Sequence, residues 1–241
     1  MRTQDFSQGM DTLFSSYAIP ARFGSTDNPG TIQLDEFEKS QLLTKSQEDI
    51  ALELYTGRNN IGASFEETEE LRRYLANLVV EMELDPIQNT TGVLGIDSKS
   101  KFFTLPENLW FITYESVQLG ENAPCGSGSR MDVIPVRQDE YNKIRKNPFR
   151  GANNRRALRL DLSDGVIEIV SKFTVLKYYL RYLRRIKPII LVNLGNENSI
   201  RGISDITESE LPESLHQRIL ERAVMMALQS RGYTRESNNR E

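Results

Sequence analysis

The sequence predicts an α+β protein, a helical bundle of N-terminal helices plus a C-terminal helix with a β-rich insertion between them. Three observations predict it. Apolar residues recur at helical spacing up to about residue 89; from about 90 Gly and Asp punctuate short β-branched and aromatic segments; and an amphipathic pattern returns after 207. The expected regions are therefore 1–89, helical; 90–206, β-rich with a short helix at 137–147; and 207–241, a helix packing back on the bundle and a polar tail. No repeat of about 20–50 residues stands out.

Each element has its own signal. Phe6, Met10, Leu13, Phe14 and Tyr17 mark an amphipathic helix over 3–18, and PARFGSTDNPG (20–30) reads as a loop. A short helix is expected around Leu34–Gln41. Thr44 and Gln47 form a capping-box pattern that opens another helix, which stops at Gly57. Ser64 and Glu67 repeat that pattern before FEETEELRRYLANLVVEM, whose stripe is Leu71, Tyr74, Leu75, Leu78, Val79 and Met82. LWFITYESVQL (109–119) is a strand, and MDVIPV is another that Pro135 pushes toward a sheet edge. ALRLDL (157–162) and VIEIVSKF (166–173) form a hairpin around Asp164-Gly165. The last helix is expected to open at the box Thr207-x-x-Glu210, with Leu215, Ile219, Leu220, Ala223, Val224, Ala227 and Leu228 facing inward.

Composition narrows function. One cysteine, Cys125, excludes an intramolecular disulfide, and one histidine, His216, leaves no histidine cluster for zinc or iron. The N-terminus lacks a signal-peptide core and no apolar run approaches the ~18 residues of a membrane span, so a cytosol-like compartment and no membrane partner are expected. There is neither a phosphate-binding G-x-x-x-x-G-K-[ST] loop nor an H-E-x-x-H motif. The Gly-x-Gly of CGSGSR (125–130) opens no helix. Cys125 and His216 are the only nucleophile–base pair of that type on offer, and His216 reads better as the border of a packed helix face. Glu66, Glu67, Glu69, Glu70 and Asp35, Glu36, Glu38 read as solvated helix starts.

Charge is distributed unevenly. The net charge is −4, but residues 1–129 carry −11, residues 130–190 carry +9 and residues 191–241 carry −2. The basic part contains GANNRRALRL (151–160) and KYYLRYLRRIKPIIL (177–191), the latter with five basic residues and three tyrosines. Interleaved arginine and aromatic residues suit a single-stranded nucleic-acid groove. As a strand, however, the segment places Tyr178, Leu180, Tyr182 and Arg184 on one face and Lys177, Tyr179, Arg181, Leu183 and Arg185 on the other. That splits the tyrosines and leaves one packed and one basic face. Opposite-sign halves can also meet between neighbouring copies, a head-to-tail contact that closes into a ring when the rotation fits. Three readings stand: an assembly protein, a sequence-independent nucleic-acid binder using residues 130–190, and a carboxylate- or cysteine-type enzyme.

LTKSQEDIALELYTGRN (43–59), FEETEELRRYL (65–75), LWFITYESV (109–117), VIPVRQDEYNKIRKNPFRG (133–151), RRALRLDLSD (155–164) and HQRILERAVMMAL (216–228) together resemble a virion structural protein of crAss-like bacteriophages, which infect gut Bacteroides. The resemblance covers nearly the whole chain and is to a ring or adaptor protein of the portal–tail, or head–tail, connector. It implies a non-enzymatic protein without cofactors, with about twelve copies in a ring below the portal that continues the DNA channel. The partners it implies are further copies, the portal protein, other ring or tail proteins, and genomic DNA passing without sequence-specific contact. The implied location is the virion, with assembly in the host cytoplasm. Arg150, Arg155, Arg156, Arg181, Arg184 and Arg185 are the expected interface charges.

Overall fold

The computed structural model describes residues 1–21, 34–58, 62, 64–65, 67–87, 100–120, 123, 126–195 and 198–231; the expected 20–30 loop falls mostly outside them, and Glu66 and Cys125 do so entirely. Among the described residues there are five helices: α1 (Thr3–Ala21), α2 (Glu36–Thr56), α3 (Glu69–Leu75), α4 (Tyr141–Arg145) and α5 (Glu213–Ser230). The seven strands are β1 (Val79–Leu84), β2 (Lys101–Thr104), β3 (Leu109–Leu119), β4 (Arg130–Pro135), β5 (Arg156–Asp161), β6 (Val166–Val170) and β7 (Val175–Arg184). The chain is α+β, as the sequence predicts. It forms two compact units, one of Met1–Asn77 with Ile186–Glu241 and one of Leu78–Arg185.

In the first unit α1 and α2 both pack on α5. Phe6, Met10 and Phe14 are buried as expected, whereas Tyr17 is exposed. The helix expected to open at Thr44 does not exist separately, because α2 runs unbroken from an Asp35 cap that accepts from Phe37 N to Gly57. No Gly or Pro interrupts it, and Gly57, at φ 78°, ends it in the left-handed conformation. Instead of capping, Thr44 joins a buried polar row with Ser40 and Gln47. Thr44 Oγ1 accepts from Ile189 N at 3.0 Å, Ser40 Oγ accepts from Leu191 N at 3.1 Å, and Gln47 Nε2 donates to Lys187 O at 2.9 Å. Between them, Ile190 exchanges both backbone hydrogen bonds with Thr207. The buried extended segment after β7 is thus hydrogen-bonded by helix side chains on one side and by backbone on the other.

Two further boundaries differ from expectation. Ser64 N does donate to the Glu67 carboxylate, one half of a capping box, but α3 begins only at Glu69 behind a Thr68 cap and ends at Leu75. Past a short 3-10 turn, Val79–Leu84 is strand, with the β-branched pair Val79–Val80 and strict alternation favouring extended backbone. The box at Thr207 and Glu210 opens no helix: Thr207 pairs with Ile190, Glu210 accepts from Lys187 N, and α5 starts after Pro212.

Salt links tie these helices together. Glu53 of α2 accepts from Arg218 and Arg222 of α5, and Glu38 takes both bonds of Arg231 at 2.9 and 3.2 Å. Lys39 is buried and donates to Asp11 at 2.7 Å and Glu36 at 2.8 Å. Burial works against its charge, but those two carboxylates outweigh it and hold Lys39 above its ordinary pKa.

His216 is buried on α5 against Phe6, with Nε2 2.9 Å from Leu211 O. Burial holds its imidazole below the usual value. A base whose folded pKa is depressed lets the unfolded chain take the proton first, so stability falls as pH drops through about 6.5 toward the folded pKa. Helical circular dichroism during denaturation is expected to show that loss as pH falls below about 6.5. His216→Gln should reduce this pH slope; an unchanged slope would mean that His216 is not its source.

The second unit is one curled seven-stranded sheet of order β1-β7-β3-β4-β5-β6-β2, antiparallel except for β4–β5. Ile87, just past β1, bridges Phe102 of β2, its N–H donating at 2.8 Å, so the two ends of the order meet. Inside lie Phe103, Val117, Met131, Ile169, Tyr178, Leu180 and Tyr182. The outer face of β5–β6 is covered too, by Tyr141 and Ile144 of α4 over Leu158, Leu160 and Val170. That helix is shorter than the expected 137–147. The Asp164-Gly165 hairpin is present, with φ 56° and 69° at its two turn residues. Pro135 does not lie on an edge strand: β4 sits between β3 and β5, and the proline is its last residue.

Candidate interaction surfaces

β7 has the two faces that its alternation predicts. Tyr178, Leu180 and Tyr182 are buried inside the sheet, while Lys177, Tyr179 and Arg181 line the outside. Leu183, expected on the basic face, is buried as well. The outer cations do not all wait for a partner. Arg181 pairs with Glu81 and Lys177 with Glu83, both acids standing across the β1–β7 ladder. The Glu83 hydrogen bond raises the Lys177 pKa and lowers that of the glutamate. Arg130 lies over the Tyr179 ring at 4.1 Å, and Tyr179 Oη donates to Gln118 at 3.0 Å. No row of stacked tyrosines exists for bases.

The other expected arginines fall into two places. Arg184 and Arg185 end β7, Arg184 half-buried and Arg185 exposed. Arg150 and Arg155 are exposed on the turns after α4, and Arg156 starts β5 half-buried. Those turns are stiff. Asn147 Oδ1 accepts from Phe149 N at 2.9 Å and Arg150 N at 3.2 Å; Asn153 Oδ1 accepts from Arg155 N at 2.8 Å and Arg156 N at 3.1 Å. A Cβ on Gly151 would lie 2.9 Å from Asn147 O, which is why glycine sits there. At the tip Phe149 is 82% exposed, the most exposed large apolar residue among those described. The stretch that carries it, 143–155, also bears the exposed cations Lys143, Arg145, Lys146, Arg150 and Arg155.

Sequence reading missed a charge cluster within the sheet. Arg159 Nη1 donates to Glu115 Oε2 at 2.8 Å, Tyr178 Oη donates to the same oxygen at 2.7 Å, and Asp161 lies 3.0 Å from Arg159 Nε. Glu115 and Arg159 are buried. Burial pushes the Glu115 carboxyl up against the pull of Arg159, and burial with the neighbouring carboxylate pushes the Tyr178 phenol far above its usual range. The cluster ties β3, β5 and β7 together through Glu115, Arg159 and Tyr178. Among the described residues no group of three or more His, Cys, Asp and Glu could hold a metal, and no helix is long and apolar enough to cross a membrane.

The pattern is one of surfaces: paired charges on one sheet face and an exposed aromatic on hydrogen-bonded turns that also carry exposed arginines. The phage tail ring protein 3/4 family matches residues 1–240, end to end. The chain belongs to that family. It is 44% identical over 233 residues to Ring protein 3 of Bacteroides phage crAss001, covering 96% of each chain. It is also 28% identical over 237 residues to Ring protein 4/5 of the same phage, covering 94% of this chain and 92% of that one. Both matches cover residues of both units. The resemblance to crAss-like phage ring proteins stated from the sequence thus holds.

Proposed function

We propose that this chain is a non-enzymatic structural component of a head–tail connector, in which about twelve copies form a closed ring by head-to-tail contact. The ring docks below the portal protein, continues the channel through which genomic DNA leaves without sequence-specific contact, and binds further ring or tail proteins on its other side. It is assembled in the host cytoplasm and retained in the virion. The observation that carries this reading is the end-to-end match to a protein called a ring protein at 44% identity. Arg150, Arg155, Arg156 and Arg185, which have no ion pair among the described residues, are its available interface cations; Arg181 is already paired with Glu81, and Arg184 lies beside Arg185.

The alternative, a sequence-independent nucleic-acid binder using residues 130–190, draws on the cations around Phe149. It requires binding that falls steeply with salt. Native mass measurement of the full chain, alone and with its portal, tests the assembly reading: rings of defined copy number are expected, and a strictly monomeric protein that joins no portal would contradict it.

A further inference from the structure

The two most exposed large apolar side chains among the described residues have sequence neighbours of opposite charge. Phe149, 82% exposed, lies in a stretch of the second unit that carries the exposed cations Lys143, Lys146, Arg150 and Arg155. Ile206, 56% exposed, projects from the first unit between Asp205 and Glu208, both exposed and in no ion pair among the described residues. Each is held by backbone. Phe149 and Arg150 are fixed by the Asn147 turn. Ile206 is fixed on either side, since Ser204 O accepts from Leu194 N at 3.0 Å and Thr207 exchanges two bonds with Ile190. The tight turn Ile200–Ile203 just before it is pinned by an Arg201–Glu48 ion pair.

An exposed aromatic with arginines beside it in the sequence suits an interface anchor, and its cations call for a partner patch with an apolar centre and acidic flanks. Ile206, between Asp205 and Glu208, is such a patch. We propose that Phe149 of one copy docks on Ile206 of a second copy, with Arg150 and Arg155 facing Asp205 and Glu208. The inference rests on the ring reading above and gives that ring its contact. Because knob and seat are different patches, the contact is heterologous: every copy offers one of each, and the series is directional. A two-fold dimer through Phe149 alone would bring like charges together.

The test is position-specific cross-linking of the full chain in a Cys125→Ser background. Chains bearing Phe149→Cys are mixed with chains bearing Ile206→Cys at assembly concentration, under mild oxidation. A 149–206 disulfide between two chains is expected, with little 149–149 product from the first variant alone. In parallel, Phe149→Asp and Ile206→Lys should each weaken self-association about tenfold or more. Because both side chains are exposed, circular dichroism and melting temperature should stay unchanged. Rings that form without a 149–206 cross-link, or cross-links from 149 to a different connector protein, overturn this contact and leave the ring reading standing. A chain that remains monomeric at high concentration overturns the contact too, while the ring reading is then decided separately by whether the protein appears as a ring in particles.

Discussion

Glu115→Ala is expected to destabilise the sheet unit by about 3–5 kcal/mol, because it leaves the Arg159 guanidinium buried without its counter-charge. Asp161 does not replace it: that carboxylate is two-thirds exposed, so water screens the attraction it could supply. Tyr178 also loses its acceptor. The chain has a single tryptophan, Trp110, on β3 of this unit, so its fluorescence reports unfolding here and not in the helical unit. Replacing the pair together, Glu115→Leu with Arg159→Met, is expected to recover most of the loss, since a buried ion pair and a packed apolar pair are often close in free energy. If the single variant melts like the parent, the pair is not held dry.

The second large effect lies in the helical unit. Thr44→Val keeps the side-chain shape but removes the oxygen that Ile189 N donates to at 3.0 Å in a buried place. A buried donor left without a partner costs about 1–3 kcal/mol. The loss is expected as an earlier fall of helical circular dichroism, with faster amide exchange at Ile189 and little change at Ile190, whose bonds go to Thr207. Exchange that speeds equally at both amides would indicate general loosening rather than this hydrogen bond.

These two sites show what the sequence conveyed and what it hid. The α+β class, the strand Leu109–Leu119, the Asp164-Gly165 hairpin and the two faces of β7 were legible, because period and turn chemistry are local. Thr44–Gln47 and Thr207–Glu210 have the spacing of capping boxes, but their side chains serve residues about 140 and about 20 positions away, which no local rule can see. Val79–Leu84 reads as the tail of a helix until its partner β7 is known. Arg159, set between Leu158 and Leu160, lies on the inner face of the curled sheet with Glu115 and Tyr178, while the two leucines face α4; which of the two faces is inside depends on partners distant in sequence. Of the candidate interface, the six arginines came from charge counting. Phe149 and Ile206 did not, since an exposed apolar residue has no periodic signature.

The charge asymmetry also changes meaning. In the first unit Glu53 is paired with Arg218 and Arg222 of α5 and Glu38 with Arg231 just past it, and two cations of β7 are paired with Glu81 and Glu83. In the proposed contact the charges that act are local ones: Arg150 and Arg155 near Phe149 in the sequence, and Asp205 and Glu208 near Ile206.

If this chain builds a ring in the particle, electron microscopy of purified virions should show a closed ring of about twelve copies coaxial with the portal, each copy touching the next through unlike patches. Particles in which this chain is absent, or present only as isolated copies away from the portal–tail axis, would contradict it.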